Sequence, residues 1–165
     1  MNEPSSPEPA KPVRVLFVCL GNICRSPLGE ALFRHHAEKA GLAHAFEADS
    51  AGTAAYHIGE PPDRRSVETA RRRGVPYSGR ARRIEPDDYY AFDHIVAMDR
   101  SNLEDILARQ PADATAEIHL MRSFDPDPDH DDVPDPYYGG PGGFDRVHDI
   151  VERSTEALLR HLTST

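Results

Sequence analysis

Cys19 and Arg25 stand six positions apart in the segment Cys19-Leu20-Gly21-Asn22-Ile23-Cys24-Arg25-Ser26-Pro27, a pairing suited to nucleophilic attack on a bound anion. A thiolate is the nucleophilic form of cysteine, and a guanidinium fork matches the oxygens of a phosphate. The spacing alone is a weak signal; its surroundings strengthen it. The apolar, β-branched run Val13 to Cys19 precedes the segment and a helical pattern follows from Ser26-Pro27, so the loop turns from a buried strand into a helix N-terminus. Successive backbone N–H groups of Leu20, Gly21, Asn22, Ile23, Cys24, Arg25 and Ser26 can there converge into an anion-binding nest. Gly21 and Asn22 are residue types that tolerate the left-handed backbone such a loop needs. Helix N-termini and nearby cations lower a thiol pKa from ~8.5 to ~3.5–7.5, so the donors that hold a phosphoryl group would also ionise Cys19. The structural alternative is a small core cysteine at a strand end beside a solvated arginine. Strand, Gly-Asn, Arg and Ser-Pro together favour the chemistry.

The elements needed to position this loop are legible along the chain. Met1 to Pro12, with four prolines, reads as a disordered tail, and residues 13–165 as one domain. Strands are expected at Val13–Cys19, Phe46–Ala51, His94–Met98 and Ala116–Met121. Helices are expected from Ser26 to Gly41, Asp63 to Arg73, Ser101 to Gln110 and Phe144 to Leu162, with Ser26 as N-cap and Pro27 at the first helical position of the first. This alternation predicts an α/β fold: a single three-layer domain with a four-stranded parallel sheet flanked by helices, flavodoxin-like or Rossmann-like. Ligands then sit at the carboxyl ends of the strands. Loops 52–62 and 122–143 are long enough to carry function.

Composition narrows the functional classes. The chain has 165 residues, a net charge of −9 and no apolar run of the ~18–20 residues a membrane span needs. Two cysteines make no disulfide scaffold, and no secretory signal is read at the start, so a soluble protein of a reducing, cytoplasmic compartment is expected. Through residue 83 there are 13 basic against 9 acidic residues; beyond it, 6 against 19. A locally basic half in an acidic protein suits a small anion, phosphate or a similar oxyanion, better than a nucleic acid or a membrane. The Asp-rich run places Asp127, Asp129 and Asp131 at calcium-loop spacing. Asp132 stands where glycine is required and Tyr138 where glutamate is required, so calcium is rejected.

Val18 to Pro27, VCLGNICRSP, resembles the phosphate loop of the low-molecular-weight protein tyrosine phosphatases. Asp135-Pro136-Tyr137-Tyr138-Gly139 resembles that family's general-acid motif, and Asp49-Ser50-Ala51-Gly52, Gly59-x-Pro61-Pro62-Asp63, Ala81-Arg82 and Met98-Asp99-x-Ser101-Asn102-Leu103 are similar to further landmarks. The resemblance implies hydrolysis of protein phosphotyrosine and aryl phosphates without cofactor or metal. Cys19 would attack phosphorus and form a phosphocysteine, Arg25 and the amides of the loop would hold the phosphoryl oxygens, and Asp135 would be general acid and then base. Ser26 would donate to the thiolate, and Ser50 would support Asn22. Asp99 either caps the following helix or orients Arg25. Tyr56, His57, Tyr137 and Tyr138 would wall the substrate cleft. Cys24 would capture oxidised Cys19 as a reversible disulfide. One departure is Gly79, where the family usually has a supporting histidine; Arg80 or a water could compensate.

Three rival functions bear weighing. Thioredoxin-coupled arsenate reductases share the fold but relay oxidation through further cysteines, which this chain lacks. Protein-arginine phosphatases have a smaller threonine where Ile23 stands, and the bulk of Ile23 favours a flat phenyl ring. A non-catalytic phosphoprotein-binding module would have lost Cys19, Arg25 or Asp135, and all three are present.

Overall fold

The structure, a computed structural model, describes residues 11–136 and 142–164. Residues 1–10 of the expected tail lie outside them, as do Tyr137, Tyr138 and Gly139. Four strands, β1 (Val13–Cys19), β2 (Phe46–Gly52), β3 (His94–Ala97) and β4 (Glu117–Leu120), form one parallel sheet in the order β2-β1-β3-β4. The helices are α1 (Arg25–Lys39), α2 (Arg64–Arg72), a one-turn α3 (Asp88–Ala91) that the sequence reading did not anticipate, α4 (Arg100–Arg109) and α5 (Gly143–Thr163).

Alternation along β1 builds the three layers. Val15, Phe17 and Cys19 face a core made with Leu28, Leu32 and Phe33 of α1 and Val147, Ile150, Val151 and Leu158 of α5. Leu16 and Val18 face the other side, against Tyr89, Phe92 and Ile106. Because both faces are covered, β1 is continuously apolar from Val15 to Cys19 rather than alternating. Each large side chain buried this way stabilises the fold by about 1.5–3 kcal/mol.

The strand order decides where a ligand can bind. The chain leaves β1 for β2 on one side and later returns to place β3 on the other, so the connections diverge at the carboxyl end of β1. Crevices at such switch points are open to ligands, and Cys19 is the last residue of β1.

Candidate active site

The loop from Cys19 to Ser26 is shaped by where its carbonyls go. Those of Cys19, Leu20 and Ile23 accept hydrogen bonds from the backbone N–H groups of Thr53 (2.9 Å), Ala54 (3.0 Å) and Asp63 (2.7 Å). In a planar trans peptide the N–H points opposite to the carbonyl, so the amides of Leu20, Gly21 and Cys24 are turned toward the cup. At the start of α1, the amides of Arg25 and Ser26 have no partner within the helix. Asn22 makes the tight reversal with φ 56°.

Cys19 lies at the bottom, 3 % exposed. Its Sγ is 3.0 Å from Ser26 Oγ and accepts from the Asn22 backbone N–H at 3.3 Å. Ser26 also accepts from Asn22 Nδ2 (2.9 Å), which leaves its own proton for the sulfur or for the Ala51 carbonyl at 3.3 Å. This is why Ser26 is not the N-cap. Cys24 holds that position without a side-chain cap, Ser26 lies inside the helix, and its hydroxyl is committed to the sulfur and Asn22.

Arg25 is buried and its Nη1 donates to Asp99 Oδ2 at 2.6 Å and to the Val133 carbonyl at 3.1 Å. Burial pulls its pKa down, but the Cys19 sulfur and the Asp99 carboxylate together outweigh that and push it above the ordinary guanidinium value. Asp99 fills both roles left open by the sequence: Oδ2 takes Arg25, while Oδ1 accepts from the Asn102 N–H at 2.7 Å as the N-cap of α4.

The acidic loop is tied down by arginines. Val133 N–H donates to the Met98 carbonyl at 2.8 Å. Buried Arg122 pairs with Asp125 and Asp129 and donates to the Asp132 carbonyl, Arg153 pairs with Asp125, and Arg100 with Asp131. The arginines hold the carboxylates of Asp125, Asp129 and Asp131 in ion pairs. Pinned in this way, the loop delivers Asp135 to the cup.

One cavity of about 190 Å³ is lined by Cys19, Leu20, Gly21, Ile23, Cys24, Arg25, Tyr56, His57 and Asp135. Tyr56 stands 77 % exposed at its mouth. His57, bonded to Glu60, rests on Gly21, where an added Cβ would lie 2.9 Å from the imidazole. Tyr137 and Tyr138, the other expected cleft residues, are outside the described residues.

Ser50 is a correction. Its hydroxyl donates to Glu30 at 2.8 Å, because its strand position faces α1. The side-chain oxygen of Asn22 is held instead by the Arg82 backbone N–H at 2.9 Å. Gly79 borders a separate cavity of about 500 Å³ behind the loop, lined also by Asn22, Glu30 and Ser50. Arg80 does not replace the missing side chain; its guanidinium donates to the Gly59 carbonyl at 3.3 Å.

Gly52 is a further functional position. A Cβ there would lie 2.7 Å from the Leu20 carbonyl and 3.2 Å from Asn22 N, so only glycine lets β2 run beneath the loop. Among the sequence signals only its place in Asp49-Ser50-Ala51-Gly52 pointed to it.

A cysteine in an amide-lined cup at the switch point of a doubly wound sheet, facing arginine and aspartate, is an arrangement suited to a small oxyanion. The chain belongs to the family described as low molecular weight phosphotyrosine protein phosphatase, whose sequence model matches residues 14–165. It is 43 % identical over 148 residues to the low molecular weight protein-tyrosine-phosphatase YfkJ of Bacillus subtilis, covering 89 % of this chain and 94 % of that one. The protein tyrosine phosphatase of Entamoeba histolytica, solved with Hepes in its active site, superposes with a TM-score of 0.88 at 39 % identity, over 92 % of this chain and 97 % of that one. The Drosophila arginine phosphatase superposes with 0.82 at 35 % identity, over 90 % and 96 %.

Proposed function

We propose that this chain hydrolyses phosphotyrosine in proteins through a phosphocysteine intermediate, with residues 13–165 as the catalytic domain. The observation that carries the reading is the Cys19 sulfur, held by Ser26 and Asn22 at the base of the cavity that Arg25 and Asp135 share. The Cys19 thiolate attacks phosphorus, the S–P bond forms, and the P–O bond to the phenol breaks. Asp135 gives its proton to the departing phenolate. It then takes a proton from water, which attacks phosphorus, breaks the S–P bond and returns the thiolate. Arg25 and the loop amides offset the charge on the equatorial oxygens throughout. The positive field comes from the chain itself, so these steps call on no metal or cofactor.

Ile23 and Tyr56, which border the cavity, favour a flat phenyl ring. The likeness to the Drosophila arginine phosphatase gives phosphoarginine as the second reading. Peptides carrying phosphotyrosine, phosphoserine or phosphoarginine, offered to the wild type, Cys19→Ser and Asp135→Asn, separate the two. Phosphotyrosine turnover abolished in Cys19→Ser and slowed in Asp135→Asn is expected. Faster turnover of phosphoarginine would overturn the substrate assignment, and activity surviving in Cys19→Ser would overturn the mechanism.

Cys24 lines the same cavity as Cys19. We infer that peroxide oxidises the Cys19 thiolate to a sulfenic acid, that Cys24 then displaces water to form a disulfide that spares Cys19 from higher oxidation, and that the enzyme works in a reducing compartment, the cytoplasm, where this bond is reversible. Peptide mapping after peroxide shows the crosslink; sulfonic Cys19 without it would refute the role. Among the described residues no helix is long and apolar enough to cross a membrane.

A further inference from the structure

His94, Glu117 and His119 come together at the end of the sheet remote from the cup. In a parallel pair with His94 opposite Glu117 and Val96 opposite His119, the alternation of side chains puts all three on one face. Three atoms converge there. His94 Nδ1 is 3.0 Å from His119 Nε2 and 3.5 Å from Glu117 Oε2, and the last two are 3.7 Å apart. A triangle with these sides has a circumscribed circle of radius about 2.0 Å, the length of a zinc–nitrogen or zinc–carboxylate bond. An ion seated at or just off its centre therefore meets all three atoms at bonding distance, displacing the proton that the two imidazoles otherwise share.

We infer that His94, Glu117 and His119 form a binding site for one zinc-type divalent ion, which braces the edge strand β4 onto β3. Two imidazoles and a carboxylate are a donor set of borderline softness, which suits zinc, cobalt or nickel rather than magnesium or calcium. The two rings lie at 30° with centroids 5.2 Å apart, and Phe124 closes the inner side of His119. The Glu117 side chain is 70 % exposed, so the fourth position opens to solvent and takes water. Both rings are half-buried. The ion takes no part in phosphoryl transfer. The site begins β3, whereas Met98 and Asp99, which serve the cup, follow that strand's other end.

Calorimetric titration of tag-free Cys19→Ser protein with Zn²⁺ tests the site without competition from the catalytic thiol. One ion per chain is expected, with a rise of about 5–10 °C in Tm at a hundred-fold excess over Kd. His119→Gln should weaken binding by about 100-fold or more, since losing even an indirect support of a ligand costs about 10–100-fold. Glu117→Gln, a surface change that leaves the fold intact, should weaken it by about 10-fold or more. Cobalt in place of zinc should show visible d–d bands without sulfur charge transfer. Phosphotyrosine turnover of Glu117→Gln and His119→Gln in the wild-type background should be unchanged. No binding tighter than about 10 µM, or equal binding by the wild-type and Glu117→Gln side chains, would overturn the assignment.

Discussion

Asn22 holds the cup through two side-chain hydrogen bonds and a left-handed backbone, and two substitutions can separate the bonds from the backbone. Its side chain accepts from the Arg82 N–H at 2.9 Å and donates to Ser26 Oγ at 2.9 Å, while its backbone occupies φ 56°. Glycine at this position keeps the backbone conformation but removes both side-chain bonds. Leaving the partly buried Arg82 amide without its acceptor costs about 1–3 kcal/mol. Alanine removes the same bonds and adds about 1–2 kcal/mol for a Cβ in the left-handed region. For a domain of this size 1 kcal/mol shifts Tm by about 2–4 °C, so Asn22→Ala should melt about 4–20 °C below wild type and Asn22→Gly should recover part of that loss. Turnover should fall in both, because Ser26 is released to rotate away from the sulfur. Thermal unfolding followed by circular dichroism, with phosphotyrosine-peptide kinetics on the same samples, gives both readouts. Equal Tm for the two variants would refute the role of backbone strain. A glycine variant as stable and active as wild type would refute the side-chain bridge.

Gly52→Ala should lower kcat by about 10- to 100-fold while the protein stays folded, because the new Cβ displaces the Leu20 carbonyl and with it the cup; stopped-flow turnover beside a melting curve checks this. Asp99→Asn keeps an N-cap for α4 but leaves buried Arg25 without its carboxylate, so Tm should fall and phosphate should inhibit less well; Asp99→Ala should lose the cap too, for about a further 0.5–2 kcal/mol of stability. His148 is buried, and neither ring nitrogen makes a hydrogen bond among the described residues. Burial first, then Arg73, hold its pKa below the ordinary 6.5 despite Glu152 lying 3.4 Å away. The unfolded chain therefore binds the proton more readily. Stability is full above about pH 6.5 and falls as pH drops through that value toward the depressed folded-state pKa. His36 and His119 shift the same way and add to the slope. Denaturant melts between pH 5 and 8 should show a shallower decline in His148→Leu, and an unchanged slope would refute the assignment.

Much of this molecule was legible along the chain because the signals are local. The apolar run of β1 from Val15 on, the stripe of Leu28 and Leu32, the helix beginning near Asp63 and Gly74 at φ 81° as its stop depend only on neighbours in sequence. The phosphate loop belongs to the same class, since its nest is made by consecutive amides. What tertiary structure alone decided are the partners of groups whose reach exceeds their own element. Ser50 turned to Glu30 rather than Asn22, and the Arg82 amide took Asn22 instead, because strand register and the path of 79–84 set which acceptor lies within 3 Å. Asp99 could be weighed evenly from sequence; only the crossing of β3 beside β1 let its two oxygens serve Arg25 and α4 together. The need for glycine at 52 arises from a carbonyl 32 positions away, and the triangle of His94, Glu117 and His119 from the pairing of β4 with β3. Hydrogen bonds and metal bonds are decided within tenths of an ångström, and between distant parts of a chain only the packed fold sets distances that closely.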